Sequence, residues 1–385
     1  MFKVILSILG AGAAACLAAQ TPAVPGLKFR GSLWTSAVAQ DRDIADGSMV
    51  LRPMEAGQGQ VGLDGALLGV DAVFPKGWSA RATLLAGQAG KVVQATNGET
   101  GTLSAVEAML VWTGPKDTLR IGRMITFIGM EFLDGAQNVT ASRGLLFSFL
   151  DPFGQVGVNW HHAFSASWSA DLFAFNGEDR VKDNNRGKTL GLGLTYNHGG
   201  SQDDYLSLHA YRGAEQDGFG ASGHSGAEGR MRERLCLMGQ GVAGRATLQA
   251  EVSLGRERFE AAAVAGASAP IRAYWRGYGL IAKLDLGRGI GLFARLEQLS
   301  DDVGVRLSAD PTLRAALGLD GSAALGLAGA GLRARNFTLG VEKKHGPAFV
   351  RVELRQDGLD RSLRDQDLAE FRRVHSGTIS VGASF

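Results

Sequence analysis

His161-His162, His198 with Ser201, His224-Ser225 and His375-Ser376 are where a base, a nucleophile or a metal ligand stand close together in this 385-residue chain. A Ser–His hydrolase needs its hydroxyl activated by an imidazole that a third group orients. None of these pairs has such a group at a fixed spacing. His198 and Ser201 fall in a tight polar turn, His224-Ser225 in a Gly-rich segment, and His375-Ser376 at the start of an alternating stretch. His161 and His162 are adjacent in a strand-like run, so they project to opposite faces and cannot hold one metal from one side. The "DNN" at 183–185 could meet a cation, but Asp and Asn build turns without one. "GLGL" at 191–194 has no helix behind it to offer N–H groups to a phosphate. With a net charge of +2 and 20% charged residues, nothing points to nucleic acid. No cofactor and no metal are expected, and an enzyme is the least supported class.

The charges that do recur follow a two-residue period. "RATLQAEVSLG" sets Ala246, Leu248, Ala250, Val252 and Leu254 against Thr247, Gln249, Glu251 and Ser253. "AFVRVELRQ", "GIGLFARLEQ" and "YLSLHAY" repeat the pattern, each with one apolar face and one polar or charged face. Seven short turns (75–77, 114–117, 164–167, 199–202, 242–244, 286–289 and 345–347) alternate with eight longer connections. The latter lie near 41–58, 95–101, 128–152, 178–187, 215–230, 259–270, 301–332 and 359–374. The fold class is therefore all-β: a transmembrane antiparallel β-barrel of about 16 strands, short turns on one rim and long loops on the other. Residues 301–332 leave room for extra strand. A soluble β-sandwich would bury its apolar faces, but needs neither alternating loop lengths nor charges on the opposite face of nearly every strand. A mean hydropathy of +0.01 follows from averaging an apolar exterior with a wet interior. Trp78, Trp112, Trp160, Trp168 and Tyr278 sit near strand ends, where interfacial girdles are expected.

Residues 1–19 read as an export signal, with one Lys, an apolar run and small residues before a cleavage after Ala19. The mature domain is then 20–385. A competing reading acylates Cys16, although the residue three before it is Ala13 rather than Leu. Without Cys16, Cys236 is the one thiol and no intrachain disulfide can form. With the N-terminus at the short-turn rim, the first strand runs outward and the sixteenth returns, so both chain ends are expected at the periplasmic side.

The segment "RIGRMITFIGMEFLDGAQNVTASRGLLFSFLDPFGQVGVNWHHAF" carries Gly122-Arg123, Gly129, Glu131, Asn138, Ser142-Arg143, Phe147-Ser148, Pro152-Phe153 and Gly157. This spacing resembles the bacterial beta-barrel porin-2 (outer-membrane porin-L-like) family over about residues 118–200. Asn176-Gly177 and Asp183-Asn184-Asn185 fit as well. The family usually has an aromatic after the Asn-Gly pair, and Glu178 stands there instead. The resemblance implies an outer-membrane porin for small hydrophilic solutes, with the long third loop folded into the lumen.

The residues support the same role. Loop 128–152 mixes Phe132, Leu133, Leu145, Phe147 and Phe149 with Glu131, Asp134, Arg143 and Asp151, as a loop packed on the inner wall would. Glu131, Asp134 and Arg143 are the expected constriction residues; a loop that plugs the barrel or covers its mouth is the alternative. If the apolar faces meet lipid, the lumen receives Lys28, Arg30, Arg81, Arg120, Arg232, Arg234, Arg295, Arg351 and Arg355. Glu107, Glu251, Glu297 and Glu353 join them, an Arg excess that leans toward anions. The alternative functions are a channel specific for sugars, organic acids or peptides, and a barrel hydrolase. Partners would be outer-membrane lipid, the solutes and the barrel-assembly machinery, for which Phe385 at the end of "SGTISVGASF" resembles the recognition signal. Barrels of this strand number commonly form homotrimers, but no interface patch is legible.

Overall fold

The structure, a computed structural model, describes residues 26–44, 47–216, 230–259, 264–265, 268–307, 311–317, 326–327 and 331–385. The expected signal at 1–19, Cys16 and His224-Ser225 lie outside the described residues. The first half of the chain forms β1 (Leu27–Gln40), β2 (Val61–Val73), β3 (Trp78–Ala86), β4 (Leu103–Thr113), β5 (Asp117–Ile125), β6 (Gly154–Ala163), β7 (Trp168–Glu178), β8 (Thr189–Asn197) and β9 (Tyr205–Ala214). The second half forms β10 (Met231–Ala243), β11 (Ala246–Phe259), β12 (Val264–Ala265), β13 (Ile271–Gly287), β14 (Ile290–Asp301), β15 (Gly326–Leu327), β16 (Leu332–His345), β17 (Ala348–Arg364) and β18 (Glu370–Ser384).

Sixteen of these strands close one barrel among the described residues, each paired antiparallel with its chain neighbours, and β18 pairs back onto β1. All seven short turns fall where the alternation breaks. The parity is inside-out relative to a soluble sheet. On β11, Leu248 and Leu254 are exposed, while Gln249, Glu251 and Ser253 are buried. β9 repeats this with Leu206 and Leu208 outside, Ser207 and His209 inside. An apolar outer face suits hydrocarbon, and closure leaves no strand edge with unpaired backbone groups in it.

Three features differ from the sequence expectation. The β3–β4 connection is longer than 95–101 and contains a helix, Gln88–Thr96, whose Ala89 and Val93 pack with Leu85 and Val106. The final long connection shrinks to 365–369, because β17 and β18 run on as a paired extension, with Leu363 opposite Phe371. Leu359, Leu363, Phe371 and Val374 bury themselves there against Ile44 and Leu307, which holds the extension together. In 302–331, β15 pairs in parallel with β12 as a separate two-stranded sheet, and a short helix spans Pro311–Ala316.

Candidate functional site

The β5–β6 connection, residues 126–153, meets the inner wall through its backbone. Met130 N donates to Glu251 on β11 (2.9 Å). Ala141 N and Ser142 N donate to Glu353 on β17 (2.8 and 3.2 Å), which the Ser142 hydroxyl also reaches. Glu297 on β14 accepts Leu145 N and Leu146 N (2.8 and 3.2 Å), the first free N–H groups of the short helix Leu145–Phe149. Every helix start has such unpaired donors, and here wall carboxylates take them.

Wall arginines take the carbonyls. Arg351 Nη1 donates to Gly135 O (2.9 Å), Arg355 Nη1 to Arg143 O (2.6 Å) and Arg295 Nη1 to Ser142 O (2.7 Å). Arg234 donates to Leu150 O, and Arg306 from the β14–β16 connection to Phe149 O (3.0 Å). The contacts from β14 and β17 reach across the barrel from β5 and β6. Within the segment, Glu131 accepts from Arg295 (3.0 Å) and Gly144 N (2.6 Å). Asp134 accepts the Ser32 hydroxyl (2.7 Å) and Ala136 N (3.0 Å). Arg143 is buried, donates to Leu133 O (3.0 Å), and lies over the Trp34 and Phe147 rings. Burial lowers the Arg143 pKa from its ordinary value, against the pull of Glu131 and Glu55. Leu145, Leu146, Phe149 and Leu150 pack with Trp275 and Leu299 of the wall.

The expected lining residues therefore divide into two groups. Arg234, Arg295, Arg351, Arg355, Glu251, Glu297 and Glu353 face inward and are covered. Arg232 is paired with Glu178 (2.9 Å) and Glu257 (2.8 Å). Lys28, Arg30, Arg81 and Arg120 also keep water contact. Arg30 and Arg81 share Asp71 and Glu107: Arg30 donates to Glu107 (2.6 Å) and Arg81 to Asp71 (2.6 Å). Among the described residues Arg120 donates to the neutral Asn159 (2.6 Å) and lies over the Phe127 ring, with Asp171 farther off. Beyond Phe127 a cavity of about 300 Å³ opens between the segment and β7–β10, lined by Phe132, Asp171, Thr195, Ser207 and His209.

The sequence reading missed much of the acidic half of this wall. Asp64, Asp171, Glu178, Glu342 and Asp357 are all buried partners on barrel strands. The alternation around "ADLFAF" and "VEKKH" carried that signal. Glu178, where the family pattern usually has an aromatic, binds Arg234 (2.7 Å) and Arg232. The histidines stay apart: His161 Nδ1 lies 3.2 Å from Asp171, and His162 Nδ1 lies 2.8 Å from Asp117.

A closed barrel of sixteen antiparallel strands with a lipid-compatible exterior and a charged interior is an outer-membrane channel. The chain belongs to the Putative beta-barrel porin-2, OmpL-like family, whose profile matches residues 26–384. Its fold is similar to that of an anion-selective porin from Comamonas acidovorans (11% identity, TM-score 0.59, 94% of this chain and 99% of that one). The outer membrane channel DcaP of Acinetobacter baumannii is similar too (10% identity, TM-score 0.58, 95% and 99%). So is the trimer form of OmpT, an outer membrane protein of Vibrio cholerae (12% identity, TM-score 0.56, 94% and 99%). No curated protein matches the chain.

Proposed function

We propose that this outer-membrane porin passes small hydrophilic solutes by diffusion, that segment 126–153 narrows its lumen, and that the remaining passage mildly favours anions. One observation carries the selectivity. Arg30 and Arg81 side chains are 34% and 41% exposed, whereas their partners Asp71 and Glu107 are 21% and 8% exposed, so the cationic side of each pair faces the water. Arg120, with no described carboxylate within ion-pair distance, adds to the same field. In a narrow passage with low-dielectric walls such placement acts directly on a permeating ion. Reversal potentials of single channels in a salt gradient test this: wild type favours chloride over potassium, and Arg120→Glu moves the reversal potential toward cation preference. An unchanged potential would sink it.

Passive transport, with no covalent step, is the mode this reading assigns. The family membership supports it over a hydrolase. The homotrimer is the assembly we infer, on the analogy of the V. cholerae trimer form, and light scattering of the detergent complex measures it. Phe385, 78% exposed at the short-turn end of the β1–β18 seam, is the residue we assign to recognition by the barrel-inserting machinery.

A further inference from the structure

The outer wall does not end in a plain apolar band. Toward the long-loop rim, strands β9–β18 carry outward arginines in two register rows. In one, Arg212, Glu233, Arg256 and Tyr274 stand side by side on β9, β10, β11 and β13. In the other, Tyr278, Gln298, Arg335, Gly358 and Arg373 follow each other across β13, β14, β16, β17 and β18. Arg276 and Arg333 lie between them, each beside Ser300.

Two neighbouring grooves on this wall, of about 1080 and 660 Å³, share Arg333 and Asp360. Their floors are aliphatic and aromatic: Leu235 and Leu254 in the first, Leu280, Leu296 and Phe337 in the second. The acids Glu233, Asp302 and Asp360 stand among these arginines, fewer than the guanidiniums around them. Glu233 serves both Arg212 and Arg256, Asp302 accepts Tyr274 N (2.7 Å), and Asp360 accepts Arg333 N (2.8 Å). Arg276, Arg333, Arg335, Arg372 and Arg373 have no described carboxylate within ion-pair distance, and the charge of Asp302 acts on Arg276 from farther off. At the same end of β2, β3, β4 and β8 the outward residues are instead Leu63, Leu84, Leu103 and Leu190.

We propose that this arc is a binding site for the phosphate-bearing headgroup of an anionic outer-leaflet lipid. The acyl chains lie on the leucine and Phe337 floor, and the guanidiniums of Arg276, Arg333, Arg335 and Arg373 hold the phosphates. An unpaired guanidinium at the edge of hydrocarbon is costly, and phosphate is the planar-fork partner that membrane supplies there. The assignment rests on the long-loop rim facing outward, which surface labelling of whole cells reads separately from binding.

Native mass spectrometry of the detergent-solubilised barrel tests it, using a bisphosphorylated glucosamine lipid and the same lipid with its phosphates removed. Wild type is expected to retain the phosphorylated lipid, and Arg276→Gln/Arg333→Gln/Arg335→Gln/Arg373→Gln to retain roughly tenfold less or lower still. Removing three cations elsewhere, by Lys182→Gln/Arg186→Gln/Lys188→Gln, is expected to leave retention unchanged. Inorganic phosphate should not displace the lipid, because it cannot use the apolar floor. Should the quadruple variant not fold, wild type alone decides, since its retention must fall with rising salt and with loss of the phosphates. Equal retention of both lipids, no effect of the substitutions, or displacement by inorganic phosphate would overturn the assignment.

Discussion

Glu353 of β17 accepts both the backbone N–H (3.2 Å) and the hydroxyl of Ser142, although 211 residues separate them. The same carboxylate accepts Ala141 N, while Arg295 and Arg355 neighbour Ser142 from either side. One wall acid thus holds the middle of the β5–β6 connection.

Glu353→Ala is therefore expected to leave two buried N–H groups and nearby guanidiniums unmatched, a loss of about 3 kcal/mol in how firmly the segment is held. The barrel itself, closed by backbone pairing, should survive. Single-channel recordings should show larger and noisier steps, with Glu353→Gln intermediate. A conductance identical to wild type would mean that the segment does not limit the passage.

Gly144 sits between two carboxylates, those of Glu297 and Glu131, and a Cβ there would collide with both. Gly144→Ala should push them apart and disturb the start of the helix Leu145–Phe149, at a cost of about 2 kcal/mol. The temperature at which the folded form converts to the slower- or faster-running unfolded band on a gel should fall. A change on β10 that meets open space, Gly241→Ala, serves as the control.

These contacts mark how far the sequence could be read. The alternation of "ATLQAEVSLG" exposes the strand and both its faces, because lipid and lumen impose a two-residue period on every spanning segment. Phe132 and Phe147 beside Glu131 and Arg143 mark a loop that packs on something polar. What no local pattern reveals is which wall group meets which loop atom. Glu353 and Ser142 are joined by barrel closure, and nothing near either residue encodes the other. Trp34 and Trp275 illustrate a second limit: both are buried on the inner side against the loops, where an alternating strand face alone leads one to expect polar residues. The two-residue period fixes parity along a strand, but the loop turns part of the inner wall into an apolar core.

Phe385 closes the seam by exchanging backbone hydrogen bonds with Gly31 (2.9 Å each way), and its ring occupies the space a side chain at position 31 would need. Gly31→Leu should displace the ring while leaving the ladder from Ser32–Ser384 to Gln40–Ser376 intact. If the ring is the assembly signal, this variant should reach the outer membrane in lower yield, as should deletion of Phe385. Protein refolded in detergent from either should conduct like wild type. Normal yield from both would dismiss the role assigned to Phe385.

Asp151, in the last turn of the β5–β6 connection, is buried with neither carboxylate oxygen hydrogen-bonded to a described residue. Burial first, and then the facing Glu251 carboxylate, push its carboxyl well above the ordinary range; Arg234 opposes this, and Glu131 adds to it. A carboxyl that keeps its proton better when packed than when released makes packing less favourable as pH climbs from the ordinary carboxylate range toward the raised value. The loop end should then loosen with rising pH, since ionised Asp151 would face Glu251 with only Arg234 to offset the repulsion. Conductance and its noise should rise across that interval in wild type and stay flat in Asp151→Asn, which cannot ionise. Cys236, buried with Ile128 and Met124 where the same connection begins, offers a second probe. The ratio of its labelling rate by a small thiol reagent in wild type to that in Asp151→Asn should grow with pH, a comparison that cancels the thiol's own titration. A constant ratio together with flat conductance would show that Asp151 does not control the loop.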